Sequence, residues 1–200
     1  MVNIRNVSVG LDCNLRSKPI FVLMTISFKT SFVHFTVSGQ GPAVVLLHGF
    51  LESSGMWEGV LPELFRKHQI VCVDLLGHGQ TGVLNEVHTM ELMAEAVISV
   101  LNHLNIESAK FVGHSMGGYV ALALAEIQPE RITDLCLMNS TFEADDDARK
   151  LLRQRANEMV GDDFEAMVRL SFANLFTKQS RLRHKNAYED ALNKALETSV

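Results

Sequence analysis

The segment Phe111-Val112-Gly113-His114-Ser115-Met116-Gly117-Gly118-Tyr119 constrains this chain more than any other. An apolar run enters G-x-S-x-G and continues straight into a small-residue helical pattern, so a strand must turn sharply into a helix at Ser115. A serine at such a turn takes a strained backbone conformation, and the residues two places either side must be nearly free of side chain. Gly113 and Gly117 meet that need, and Gly118 lets the helix pack close to the sheet. The Ser115 hydroxyl then stands clear of the backbone at a helix N-terminus, whose free N–H groups favour developing negative charge. G-x-S-x-G alone occurs by chance. Strand before and helix after are the context that separates a candidate nucleophile from a Gly/Ser-rich connection.

Two further segments carry the same message. Ala43 to Leu47 reads as a buried strand followed by His48-Gly49-Phe50, and Ile70 to Asp74 as another, followed by Leu75-Leu76-Gly77-His78-Gly79-Gln80-Thr81. With these the chain resembles the α/β-hydrolase superfamily, of the serine hydrolase or esterase type. That family has an H-G-x turn after its third strand, a D-x-x-G-x-G-x-S-like loop after its fourth and the nucleophile elbow after its fifth. All three stand here in order, over about Ile26 to Asn139, with Thr81 where a serine is usual.

The resemblance implies an α/β fold: a mostly parallel central sheet with helices on both faces and a helical cap inserted after strand six. It makes Ser115 the catalytic nucleophile and the backbone N–H groups of Phe50 and Met116 the oxyanion hole, with the Phe50 ring lining the pocket. Such donors work by being fixed in place before charge appears. His48, Gly49, Gly113, His114, Gly117 and Gly118 would support the turn and elbow, and His78 would hold its loop. No cofactor and no metal is implied.

In this family the triad runs in the order serine, acid, histidine, the acid usually after strand seven and the histidine after strand eight. Only six strands are readable here, the last being Ile132 to Met138. His184 is the sole histidine after Ser115, and it lies in a basic, solvated stretch, Arg181 to Lys185, which makes it a poor base. Glu143, Asp145, Asp146 and Asp147 follow strand six and are candidate acids, although an acidic run reads equally as a solvated helix N-terminus. The run from Leu135 to Met138 does not alternate, so that strand is expected to have cover on both faces and partners on both sides. The helical pattern runs to Val200 without a stop signal. The expectation is a hydrolase truncated at its C-terminus, its last strands, acid and histidine missing, and inactive or nearly so as a 200-residue chain.

The remaining organisation follows from periodicity. Residues 1–23 fit no family element and form a non-core N-terminal extension, with Met24 as an alternative start; a secretion signal with Arg16 and Lys18 before Pro19 to Ile26 is the competing reading. Residues 24–140 are the hydrolase core, with strands expected near 26–30, 32–37, 43–47, 69–73, 109–113 and 132–138. A short helix from Trp57 to Phe65 is interrupted by Pro62. A longer one from Thr89 to Leu104 carries Met93, Ala96, Val97, Val100, Leu101 and Leu104 on one stripe, and Met116 to Ile127 is the nucleophile helix.

Residues 141–200 form the incomplete cap or lid, as three amphipathic helices. Ala148, Leu151, Leu152 and Met159 mark the first, Phe164, Met167, Val168, Phe172 and Leu175 the second, and Tyr188, Ala191, Leu192 and Ala195 the third. Ten Lys/Arg against eleven Asp/Glu in this region imply no charged substrate.

A hydrophobic content of 47% is enough for one sizeable core. A net charge of −5 offers no basic face for nucleic acid and no reason to invoke a membrane surface. Cys13, Cys72 and Cys136 form no C-x-x-C pair; the last two lie in expected buried strands and read as reduced core residues of a cytoplasmic protein. Together these features predict a serine hydrolase acting on a small carboxylic ester or similar acyl substrate through an acyl-enzyme on Ser115. The alternatives are a non-catalytic binding protein of the same fold, a cofactor-free haloperoxidase, a carbon–carbon bond hydrolase, or a lyase of menaquinone synthesis. The lyase is disfavoured by Tyr119, where that enzyme has an arginine.

Overall fold

The computed structural model describes residues 22–198, the side chains at 157 and 159–162 excepted. The expectations for Cys13, Arg16, Lys18 and most of the N-terminal extension lie outside that range, and that for the Met159 side chain lies among the exceptions. The chain divides into two compact units, residues 1–140 and 141–200.

The first unit is built on six strands: β1 (Val22–Phe28), β2 (Ser31–Ser38), β3 (Ala43–Leu47), β4 (Gln69–Val73), β5 (Ala109–His114) and β6 (Ile132–Met138). They lie in the order β1-β2-β4-β3-β5-β6. The pairs β1/β2 and β2/β4 are antiparallel, and β4/β3, β3/β5 and β5/β6 are parallel. Val22 and Leu23 pair with Val37 and Thr36, so β1 begins before the boundary expected at Met24.

One sheet face is covered by α2 (Met90–His103) and α3 (Met116–Ile127). Val45, Leu47, Val71, Val73 and Phe111 pack there against Val97, Val100, Leu101, Val120 and Leu124. Those helical residues recur at three- and four-residue spacing, which lays them along one stripe. Thr89 starts α2 by accepting the Leu92 N–H through its Oγ1 at 3.2 Å. The helix ends on Asn105, whose φ of 54° lets Ile106 N–H reach back to the Leu101 carbonyl at 2.9 Å. On the opposite face the short α1 (Leu61–Leu64) and a 3-10 turn at Ser54–Trp57 cover Val44, Leu46, Ile70 and Cys72. Pro62 stands in the first turn of α1, where its missing N–H costs nothing.

One expectation about β6 fails: its side chains are half-exposed or exposed rather than buried. Cys136 is accordingly exposed, while Cys72 is buried as expected. Among the described residues the strand lies at the end of the sheet order, paired with β5. The non-alternating apolar pattern suggests two-sided cover, but a pattern of this kind does not report which elements supply it.

Among the described residues the second unit holds four helices rather than three: α4 (Asp147–Asp162), α5 (Phe164–Asn174), α6 (Lys178–Arg183) and α7 (Lys185–Leu196). Asp163 and Thr177 cap α5 and α6 by accepting the N–H groups of Ala166 and Ser180. Phe172, Phe176 and Tyr188 form a ring cluster with centroids 5.4–5.5 Å apart. On α4 the expected apolar markers Ala148, Leu151 and Leu152 are exposed, whereas Met167, Val168, Phe172, Leu192 and Ala195 are buried. Leu175, also expected on a packed stripe, is exposed.

Candidate active site

The sheet order determines where a site can form. From β3 the chain leaves to one side to make β4, while β5 lies on the other side of β3. In open α/β sheets such a switch in strand order, at the carboxyl ends of neighbouring strands like β3 and β5, is where ligand sites form. Leu47 pairs with Gly113, so the residues that follow each strand, His48-Gly49-Phe50 and His114-Ser115-Met116, begin side by side.

Ser115 has φ 49° and ψ −112°, a conformation an L-residue holds only under constraint. The constraint is visible. Its N–H donates to the Met138 carbonyl at 3.0 Å, and its carbonyl accepts from Gly118 N–H at 3.0 Å and from the Ser140 hydroxyl at 2.9 Å. The glycines are there for space. A Cβ on Gly113 would meet the Gly117 carbonyl and come within 2.6 Å of Gly118 Cα, and one on Gly117 would meet the carbonyls of Leu47 and His48. A Cβ on Gly118 would strike Ser140. Ser115 occupies the position before α3 where serine usually caps a helix, yet its hydroxyl makes no capping bond. It is half-buried.

His48 organises the facing turn. It is fully buried, and both ring nitrogens are engaged. Nδ1–H donates to the Gly49 carbonyl at 2.8 Å, while Nε2 accepts the Leu75 N–H at 2.9 Å. The Leu75 donor fixes the tautomer. The Gly49 carbonyl also accepts the Glu52 N–H at 3.3 Å. Because the peptide is planar, a pinned Gly49 carbonyl aims the Phe50 N–H the opposite way. Among the described residues, neither that N–H nor the Met116 N–H at the start of α3 has an acceptor. Burial, with a contribution from nearby His78, pushes the His48 ring down to about 4, so it is neutral at ordinary pH.

The Phe50 ring is exposed, and it meets His78 edge-on at 5.7 Å. His78 is buried beside His48 and donates Nδ1–H to its own loop at the Leu76 carbonyl.

Glu52 belongs to none of the sequence motifs. Its Oε2 accepts the Gly49 N–H at 2.7 Å and lies 2.9 Å from His114 Nδ1. His114 is thereby tied to the turn after β3. Burial pushes the Glu52 carboxyl up, but the His114 hydrogen bond and charge and the Gly49 N–H outweigh it and hold it below its ordinary value. The i to i+3 spacing from Gly49 is readable in the sequence, but the partner sixty-two positions away is not.

Asp74, after β4, anchors the third motif. Its carboxylate takes the Ser54 N–H at 2.7 Å, the Gln80 N–H at 3.0 Å and His34 Nδ1 at 3.0 Å. Burial raises its carboxyl, and these donors, His34 foremost, reverse the effect and bring it down to about 2. Gly79, at φ 56°, passes so close that a Cβ would strike this carboxylate. Thr81 fills the place of the usual serine: its Oγ1 accepts the His34 N–H at 2.8 Å and donates to the Asp74 carbonyl at 2.6 Å.

Glu143, Asp145, Asp146, Asp147 and His184 belong to the second unit. Asp146 accepts the Arg149 N–H at 2.8 Å as a helix-start residue, Asp145 pairs with Arg153, and His184 stands exposed between α6 and α7. Among the described residues no group of three or more His, Cys, Asp or Glu is placed to hold a metal ion, and no helix is long and apolar enough to cross a membrane.

Comparison with known proteins agrees with this architecture. A model of the alpha/beta hydrolase fold matches residues 42–194, and the chain belongs to that family. It is 34% identical over 132 residues to an uncharacterised protein of Mycobacterium tuberculosis, a match covering 64% of this chain and 38% of that protein. It is 33% identical over 113 residues to bifunctional epoxide hydrolase 2 of Sus scrofa, covering 55% of this chain and 20% of that one. The chain thus spans well under two thirds of these relatives. Among solved structures, a thermophilic esterase from Thermogutta terrifontis superposes with a TM-score of 0.78 at 27% identity, covering 91% of this chain and 68% of the other.

Proposed function

We propose that this chain carries the nucleophile and oxyanion hole of a serine hydrolase acting on a small carboxylic ester or similar acyl substrate. The observation that carries the reading is the strained Ser115, its hydroxyl uncommitted at the head of α3, beside a turn whose Phe50 N–H is aimed by a pinned carbonyl. Ser115 Oγ attacks the acyl carbon, and the carbonyl oxygen takes the displaced electron pair and is held by the N–H groups of Phe50 and Met116. The Ser115 proton passes through the triad histidine to the departing alcohol as collapse leaves an acyl-enzyme, which water then cleaves to free the acid and restore the hydroxyl. The likeness to the Thermogutta esterase supports an ester as substrate.

In this reading the triad's acid and histidine lie outside these 200 residues. His48 has both nitrogens committed, and among the described residues no histidine nitrogen is hydrogen-bonded to the Ser115 hydroxyl. The test is a fluorophosphonate probe on the protein as its source cell makes it. Labelling that disappears in Ser115→Ala is the expected result. An unlabelled wild type would refute the activated nucleophile and leave a non-catalytic binding protein of this fold.

A further inference from the structure

The turn after β3 and the elbow after β5 must keep a fixed separation if two N–H groups, one from each, are to meet a single oxygen atom. Donors of this kind act over a narrow range, about 2.7–3.1 Å from the oxyanion. His48 sets the tilt of the peptide that carries the Phe50 N–H, but it holds that peptide to the loop after β4, not to the elbow.

Glu52 makes the missing connection. Its Oε2 takes the Gly49 N–H on one side and His114 Nδ1, on the residue preceding the nucleophile, on the other. Both side chains are largely buried, at 21% and 16% exposure, so water competes weakly for either bond. A Cβ built on Gly49 would stand 2.7 Å from Glu52 Oε2, 2.9 Å from His114 Nδ1 and 3.3 Å from Ser115 Cβ, so the turn, the Glu52–His114 contact and the nucleophile converge on one point. Gly49 is also where the turn is softest, since a glycine resists rotation least. Its N–H and the Phe50 N–H belong to consecutive planar peptides, and anchoring both fixes the angle between them.

We propose that Glu52 is a positioning residue of the oxyanion hole, a clamp through Gly49 N–H and His114 that sets the distance between the turn and the elbow. This rests on the serine hydrolase reading above. Glu52 acts through the backbone it holds and does not itself touch substrate.

The test compares Glu52→Ala, Glu52→Asp and Glu52→Gln in the full-length protein by two readouts: hydrogen exchange of the Gly49 amide, and the fluorophosphonate labelling rate of Ser115. Glutamine keeps an oxygen able to accept both donors, while aspartate is one methylene short of spanning them and serves if the alanine variant does not fold. In the alanine and aspartate variants Gly49 exchange should rise roughly ten- to hundredfold. Labelling should fall on the order of a hundredfold, as for loss of one oxyanion donor. With an ester substrate the loss should fall on kcat and leave KM nearly unchanged. Glutamine should restore exchange, labelling and kcat to within a few fold, which a role for the negative charge itself does not predict. The loss in Glu52→Asp, which keeps the charge, marks the reach of the acceptor as what matters. Wild-type Gly49 protection or wild-type labelling in Glu52→Asp overturns the clamp. A wild type that is never labelled, with Gly49 exchange still raised in Glu52→Asp, overturns the hydrolase reading instead and leaves the clamp standing as the anchor of the turn.

Discussion

Protonation of His48 should undo the turn it supports, and His48→Asn should remove that sensitivity. In the folded chain the ring titrates at about 4 against an ordinary value of 6.5, because burial opposes the charge and His78 adds repulsion. Between these values the unfolded chain binds a proton that the folded chain refuses. Stability is therefore complete above about pH 6.5 and falls as the pH drops toward 4. At about 1.4 kcal/mol per pH unit, the window amounts to roughly 3 kcal/mol. Asparagine keeps an N–H near the Gly49 carbonyl but leaves the Leu75 N–H without its acceptor, so at neutral pH the variant should be less stable by about 1–3 kcal/mol. The assay is urea unfolding of wild type and variant at matched pH values across the window, reading the difference between them. His78 and His88 are also lowered, with burial the first cause in each; both remain in the variant, so the difference between the two proteins isolates the His48 ring together with its coupling to His78. The difference should shrink steadily as the pH falls. A constant difference across the window, or a His48 ring that titrates near 6.5 by NMR, would refute the reasoning.

Three further outcomes are expected. Asp74→Asn should cost about 3 kcal/mol at neutral pH by unpairing a buried charge network. The wild type should draw about 2 kcal/mol from this carboxylate above pH 3.8 and lose it as the pH falls through about 2, a step the variant lacks in acid titration. Gly117→Ala should destabilise by about 2–3 kcal/mol in thermal melts, since its methyl meets two backbone carbonyls that cannot swing aside. In a Cys13→Ser background, a thiol reagent should titrate exposed Cys136 promptly. Cys72, buried and pushed up to about 12, should react only on unfolding.

Much of the first unit is legible in the sequence because local and global signals agree there. The strands β3 to β6 announce themselves as apolar runs, α2 carries a stripe with a threonine before it, and the elbow allows only one kind of turn. Sequence and structure part where the deciding partner is remote. Val22 and Leu23 belong to β1 because Val37 and Thr36 pair with them. Cys136 is exposed because its face of β6 is left uncovered among the described residues, a property of packing and not of composition. In the second unit α6 hides inside a basic stretch, and only the Thr177 cap marks its start. For the site, spacing is enough to single out Ser115, and the resemblance to the α/β-hydrolase superfamily adds Phe50 and Met116 as candidates. Glu52 is invisible because a single glutamate in a loop carries no periodicity, and its importance comes from a contact made across the sheet.

The backbone of Ser115 bears on evolution as well as on chemistry. At φ 49° and ψ −112° a side chain is a burden, costing on the order of 1–3 kcal/mol that glycine would largely give back. Ser115→Gly is thus a substitution that folding alone would welcome, reachable at a position already flanked by glycines. A lineage under no demand for a hydroxyl would drift toward it. Each generation that keeps serine here accepts a less stable protein, and the hydroxyl group is the only thing it receives in exchange.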